Sequence, residues 1–121
     1  MASHRVEKIN VQLQRELSLI IRSKIRDHRF NRDGFSITKV KATPDLKYAT
    51  VYFSVLGNDE EKQTALEVLD NAKGFLRSEL GRNLKTHTVP ALLFKIDDSV
   101  DYSMKIEAIL ADIKKGGNRN D

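Results

Sequence analysis

Apolar residues Val6, Ile9, Leu13, Leu17, Ile20, Ile21 and Ile25 recur at steps of three and four, and no proline or glycine interrupts them. At about 100° per residue this spacing keeps one helical face apolar. A long amphipathic helix is therefore predicted over residues 3–29, with Ser3 as its N-cap. A stripe of that length must be buried, so the rest of the chain has to supply a second layer. The turn-forming run Asn31-Arg32-Asp33-Gly34 is predicted to end the helix.

Two strands fit the next segment. Phe35 and Ile37 alternate with polar residues, as do Val40 and Ala42, but the parity changes between the two pairs. That change predicts a bulge. Over residues 48–56, Ala49, Val51, Phe53 and Val55 share one face, while Tyr48, Thr50, Tyr52 and Ser54 share the other. Thr43-Pro44-Asp45-Leu46-Lys47 reads as the hairpin connection.

Gly57-Asn58-Asp59-Glu60-Glu61 opens a second helical region, with acids where the helix dipole favours them. Leu66, Leu69, Ala72, Leu76, Leu80 and Leu84 hold helical spacing. Gly74 lies within the run and Gly81 near its end. A glycine inside a helix costs about 1 kcal/mol relative to alanine, so a kinked helix pair is expected there. After Pro90 a third strand puts Leu92, Phe94 and Ile96 on one side. Met104, Ile106, Ile109, Leu110 and Ile113 suggest a closing helix, and Gly116 begins a polar tail. The expected fold is α+β: a three-stranded sheet packed against helices, in one domain over residues 1–115 with a flexible tail over 116–121.

The 121 residues carry a net charge of +4, too modest to identify a partner. Position says more. Lys8, Arg15, Arg22, Arg26 and Arg29 are predicted to form a stripe opposite the apolar face of the first helix. Lys73, Arg77, Arg82, Lys85 and His87 form a second group, interrupted by Glu79 and starting at the suspected kink. Either suits phosphate-tracking contacts, and either suits an ordinary solvated face. A helix N-terminus exposed at the kink would add free N–H groups. Tyr48 and Tyr52 can stack bases, but packing beneath a helix accounts for them better.

No catalytic constellation emerges. The chain has no cysteine, which excludes disulfides and thiolate zinc sites, and its three histidines show no ligand spacing. Asp97, Asp98 and Asp101 suit helix capping better than a divalent ion. Phosphate-binding, dinucleotide and nucleophile-elbow motifs are missing. No cofactor, metal or catalytic residue is expected. With neither a signal peptide nor a membrane span, a cytoplasmic protein is expected.

Several of these segments together resemble the ribosome-binding factor A family. They are the first helix, VEKINVQLQRELSLIIRSKIRDHR, then Asp45-Leu46-Lys47-Tyr48-Ala49-Thr50-Val51-Tyr52, then Ala72-Lys73-Gly74-Phe75-Leu76-Arg77-Ser78-Glu79-Leu80-Gly81. Val89-Pro90-Ala91-Leu92-Leu93-Phe94 and Asp97-Asp98-Ser99 follow in the family's order. The resemblance implies a type II KH-like fold, α-β-β-α-kink-α-β, with the Ala72-Lys73-Gly74 kink in place of a Gly-x-x-Gly loop. Three positions depart from the family pattern: His28 where proline is usual, His87 where arginine is common, and Ser103 where glycine is frequent.

The resemblance further implies a non-catalytic maturation factor. It would bind free 30S small ribosomal subunits and 16S rRNA, assist late processing, matter most in the cold, and be released by a ribosome-associated GTPase. A monomer with no membrane or DNA partner is expected. Lys73, Arg77, Arg82 and Lys85 would meet rRNA phosphates, with Gly74 shaping the approach and Arg22, Arg26 and Arg29 forming a second edge. The rival readings are a metal-dependent phosphoesterase built on Asp97, Asp98 and Asp101, and a protein-only GTPase adaptor using the acidic residues 59–70.

Overall fold

The computed structural model describes residues 4–84, 88–98 and 110. Their order is α1 (His4–Lys24), β1 (Phe35–Ala42), β2 (Tyr48–Val55), α2 (Asp59–Asn83) and β3 (Ala91–Ile96). The arrangement is α+β, as expected. Ser3, most of the predicted closing helix and the tail lie outside the described residues.

The sheet has the order β1-β2-β3. β1 and β2 form an antiparallel hairpin, with Ala42 opposite Ala49 and Phe35 opposite Val55. The register shifts between Ile37 and Lys39, where the parity change predicted a bulge. The hairpin turn places Leu46 at φ 61°, and the Asp45 carboxylate accepts from the Thr43 hydroxyl and the Lys47 N–H. β3 joins the other edge of β2 in parallel, from Tyr48 opposite Ala91 to Phe53 opposite Ile96. A parallel pair needs a long crossover, and α2 supplies it.

Both helices contact the sheet. Leu13, Leu17 and Ile21 of α1, Leu69, Leu76 and Leu80 of α2, and Val51 and Phe53 of β2 are fully buried in one core cluster. The rings of Phe30, Phe35, Phe53 and Phe94 run from the segment before β1 across the sheet, with successive centroids 5.0, 5.7 and 6.5 Å apart. Polar side chains of α1 satisfy backbone groups of β1. The Asn10 carbonyl accepts from the Ala42 N–H at 2.8 Å, and the Gln14 amide donates to the Ile37 carbonyl at the bulge, at 3.0 Å. On the sheet's other side, the Thr38 hydroxyl donates to the Asp97 carboxylate just beyond β3.

Two helix boundaries differ from expectation. α2 is one uninterrupted helix of 25 residues rather than a kinked pair, so the described order is α-β-β-α-β. The cost of Gly74 is outweighed by burial of Leu69 before it and of Leu76 and Leu80 after it, which hold both halves to one core. Asn58 and Glu61 start this helix with a reciprocal capping box. α1 stops at Lys24, short of residue 29. The chain turns there to bury Ile25 and Phe30.

Candidate nucleic-acid interface

The end of α1 organises the first basic group. The Ile25 N–H makes the last helical bond, to the Ile21 carbonyl at 3.2 Å. The Ile25 carbonyl, left without a helical partner, accepts from the Arg32 guanidinium at 2.8 Å. Asp27 then accepts from the Arg29 backbone N–H at 2.9 Å and from its guanidinium at 3.1 and 2.8 Å. These bonds lower the Asp27 carboxyl to about 2 and raise Arg29 above its ordinary value. Arg26 and Arg29 therefore lie beyond α1 and off the predicted stripe, which within the helix comprises Lys8, Arg15 and Arg22.

This bend meets the middle of α2. Lys24, Ile25, Arg26 and Asp27 face Val68, Asn71, Ala72 and Phe75 across an open cleft of about 260 Å³. Arg26 and Ala72, the first residue of the Ala72-Lys73-Gly74 motif, thus line one cleft, although the two basic groups were expected on separate edges. Lys73 and Gly74 are not among its lining residues. Arg22 lines a different hollow of about 230 Å³ with Arg32 and Asp33.

Along α2 the predicted contacts have different surroundings. Lys73 is exposed and pairs loosely with Asp70 at 3.3 Å. Arg82 is exposed, with Glu79 at 3.9 Å. Arg77 donates through Nε and Nη2 to the Val89 carbonyl at 3.1 and 2.9 Å, fastening the approach to β3. Of its five N–H donors, three remain for a partner. At Gly74 a Cβ would meet nothing within 4 Å. Because α2 continues through it, no helix N-terminus is exposed at Gly74, and the expected free N–H groups are not there. Lys85 and His87 lie outside the described residues.

The tyrosines also need correcting. The helices cover the face carrying Ala49, Val51, Phe53 and Val55, so Tyr48 and Tyr52 belong to the opposite face. Tyr48 is 53% exposed rather than packed beneath a helix. Lys39 Nζ sits 5.9 Å from the Tyr52 ring centre, within cation–π range.

Sequence reasoning missed Lys24, Arg32 and Phe75. Phe75 had a legible signal, since it falls outside the Leu69–Ala72–Leu76–Leu80 spacing and is 46% exposed. Lys24 and Arg32 had none, because their placement follows from where α1 ends. Among the described residues no three His, Cys, Asp or Glu side chains group as metal ligands. No described helix is long and apolar enough to cross a membrane.

The sequence profile described as ribosome-binding factor A matches residues 5–110. The chain belongs to the ribosome-binding factor A family. A ribosome-binding factor A of Lactobacillus acidophilus is 45% identical over 113 residues, covering 93% of this chain and 92% of that protein. A Thermotoga maritima protein of known solution structure, provisionally designated a ribosome-binding factor A, is 30% identical. It superposes with a TM-score of 0.70 over 78% of this chain and 89% of its own. Thermus thermophilus ribosome-binding factor A, as a homology model fitted into a cryo-EM map of a 30S complex, is 25% identical with a TM-score of 0.62. That match covers 74% of this chain and 91% of the Thermus chain.

Proposed function

We propose that this chain binds the free 30S subunit through 16S rRNA and assists late rRNA processing and subunit assembly, without catalysing a reaction. Family membership supports the ribosomal target, and the 30S complex of the Thermus relative supports the subunit. The observation that carries the site is the cleft joining Arg26 to the Ala72–Phe75 stretch of α2. It sets the cations Lys24 and Arg26 beside Ala72 and Phe75, the residues that flank Lys73 and the open position at Gly74.

In this reading a KH-like RNA-binding domain spans residues 1–115, followed by a flexible tail over 116–121. Lys73, Arg77, Arg82 and Lys85 meet phosphates, as do Arg22, Arg26 and Arg29, and each contact releases counterions. The factor acts as a cytoplasmic monomer, is most needed in the cold, and leaves the subunit through a ribosome-associated GTPase. DNA and membranes are not partners.

Sedimentation of tagged protein in a bacterial lysate tests this reading. Co-migration with free small subunits, and not with large subunits or whole ribosomes, is expected. Migration only at the top of the gradient at low salt would refute it. A deletion strain should accumulate precursor 16S rRNA and grow poorly in the cold.

A further inference from the structure

Two neighbouring features of α2 lie outside the buried core. Phe75 is 46% exposed and stands outside the core cluster. Gly74 keeps a helix-weakening residue where no internal contact requires it, because an added Cβ would touch nothing within 4 Å. Asn71, Gly74, Phe75 and Ser78 succeed one another at three- and four-residue steps, and all are exposed. Phe75 is the only bulky side chain of that strip.

Charge then narrows what can cover the ring. Lys24 and Arg26 line the same cleft as Phe75. The acid of that cleft, Asp27, is already held by three hydrogen bonds from Arg29. Asp70, the nearby acid on α2, pairs with Lys73. Glu67, exposed on α2, acts on Arg29. An apolar protein surface seated here would therefore bury Lys24 and Arg26 where the neighbouring acids already face other cations. A nucleotide matches both parts: its base has a face for the ring, and its phosphate has a charge for the cations.

We propose that Phe75 is a stacking platform for an unpaired rRNA base, whose adjoining phosphate is held by Lys24 and Arg26. This rests on the ribosomal reading above and specifies its ligand as single-stranded RNA with a base free to leave its own stack. Gly74 keeps the strip beside the ring low enough for the base plane to approach, and Asn71 offers an amide to the base edge.

The full chain is titrated with a single-stranded RNA of about ten nucleotides carrying 2-aminopurine, whose fluorescence falls on stacking. Phe75→Tyr keeps the ring and should match the unsubstituted protein in affinity and quenching. Phe75→Leu keeps apolar bulk at an exposed position but lacks a π-face. It should bind roughly tenfold or more weakly, lose the quenching, and keep the salt slope. The pair Lys24→Ala with Arg26→Ala should do the reverse, lowering the slope of log K against log salt by roughly one to two units while quenching persists at saturation. If Phe75→Leu binds and quenches like the unsubstituted protein, the stacking role is wrong even though RNA binding stands. If the unsubstituted protein binds neither this RNA nor purified small subunits, the ribosomal reading itself fails.

Discussion

The guanidinium of Arg77 and the carbonyl of Val89 are joined by two hydrogen bonds, of 3.1 and 2.9 Å, tying α2 to the segment that enters β3. Arg77 thus has a structural duty besides any contact with RNA. Arg77→Ala should lower stability by about 1 kcal/mol, read as a shifted denaturant midpoint with an unchanged slope. Arg77→Lys keeps the charge but not the two-pronged geometry, and should recover little of that loss. Full stability in both variants would show that the pair is incidental. Loss of subunit binding in Arg77→Ala therefore has to be compared with Arg82→Ala, whose side chain has only Glu79 nearby at 3.9 Å.

Gly74→Ala should stabilise the protein. Nothing lies within 4 Å of the added methyl group, so the helical preference of alanine acts unopposed, at about 1 kcal/mol. In calorimetry the midpoint should rise by roughly 4 °C. If the open strip serves RNA, the same variant should bind small subunits less well. A fall in Tm would mean that α2 needs flexibility at this position.

The Asp27–Arg29 pair predicts a specific acid response. Hydrogen bonds from Arg29 hold the Asp27 carboxyl at about 2. Since the folded value is depressed, its contribution to stability is present above the unfolded value of about 3.9 and is lost as pH falls through the folded one. An NMR titration of the Asp27 carboxyl should find its midpoint near 2, and Arg29→Ala should return it toward about 3.9. A normal midpoint in the unsubstituted protein would exclude the pair in solution.

β2 is bonded on both sides, antiparallel to β1 and parallel to β3. Hydrogen exchange should place its amides, Val51 and Phe53 among them, in the slowest class. Rapid exchange throughout residues 48–55 would contradict its central position.

Alternation in β1 and β2 revealed the buried face and the bulge, because a strand reports its two faces residue by residue. Helix ends were less legible. Ile25 continues the periodicity of α1, but the chain leaves the helix to seat Phe30 against Phe35, and Arg32 takes the freed Ile25 carbonyl. Gly74 suggested a break that burial of Leu76 and Leu80 overrides. Charge spacing located Arg26 but not the cleft it shares with Ala72 and Phe75, since that depends on how the end of α1 meets α2. The bond from Arg77 to Val89 spans 12 positions and ends on a backbone carbonyl, which no side-chain pattern reports.

The mixed pairing of β2 sets a schedule during synthesis. Its antiparallel neighbour precedes it in the chain, whereas its parallel neighbour begins at Ala91, after all of α2. At elongation rates of about 5–20 residues per second, the intervening stretch takes roughly 2–7 s to make. For that interval the nascent chain presents one edge of β2 unpaired, a template for association with other emerging strands. Docking of β3 pairs that edge, so the last of the described strands to leave the translating ribosome is the one that completes the pairing of the central strand.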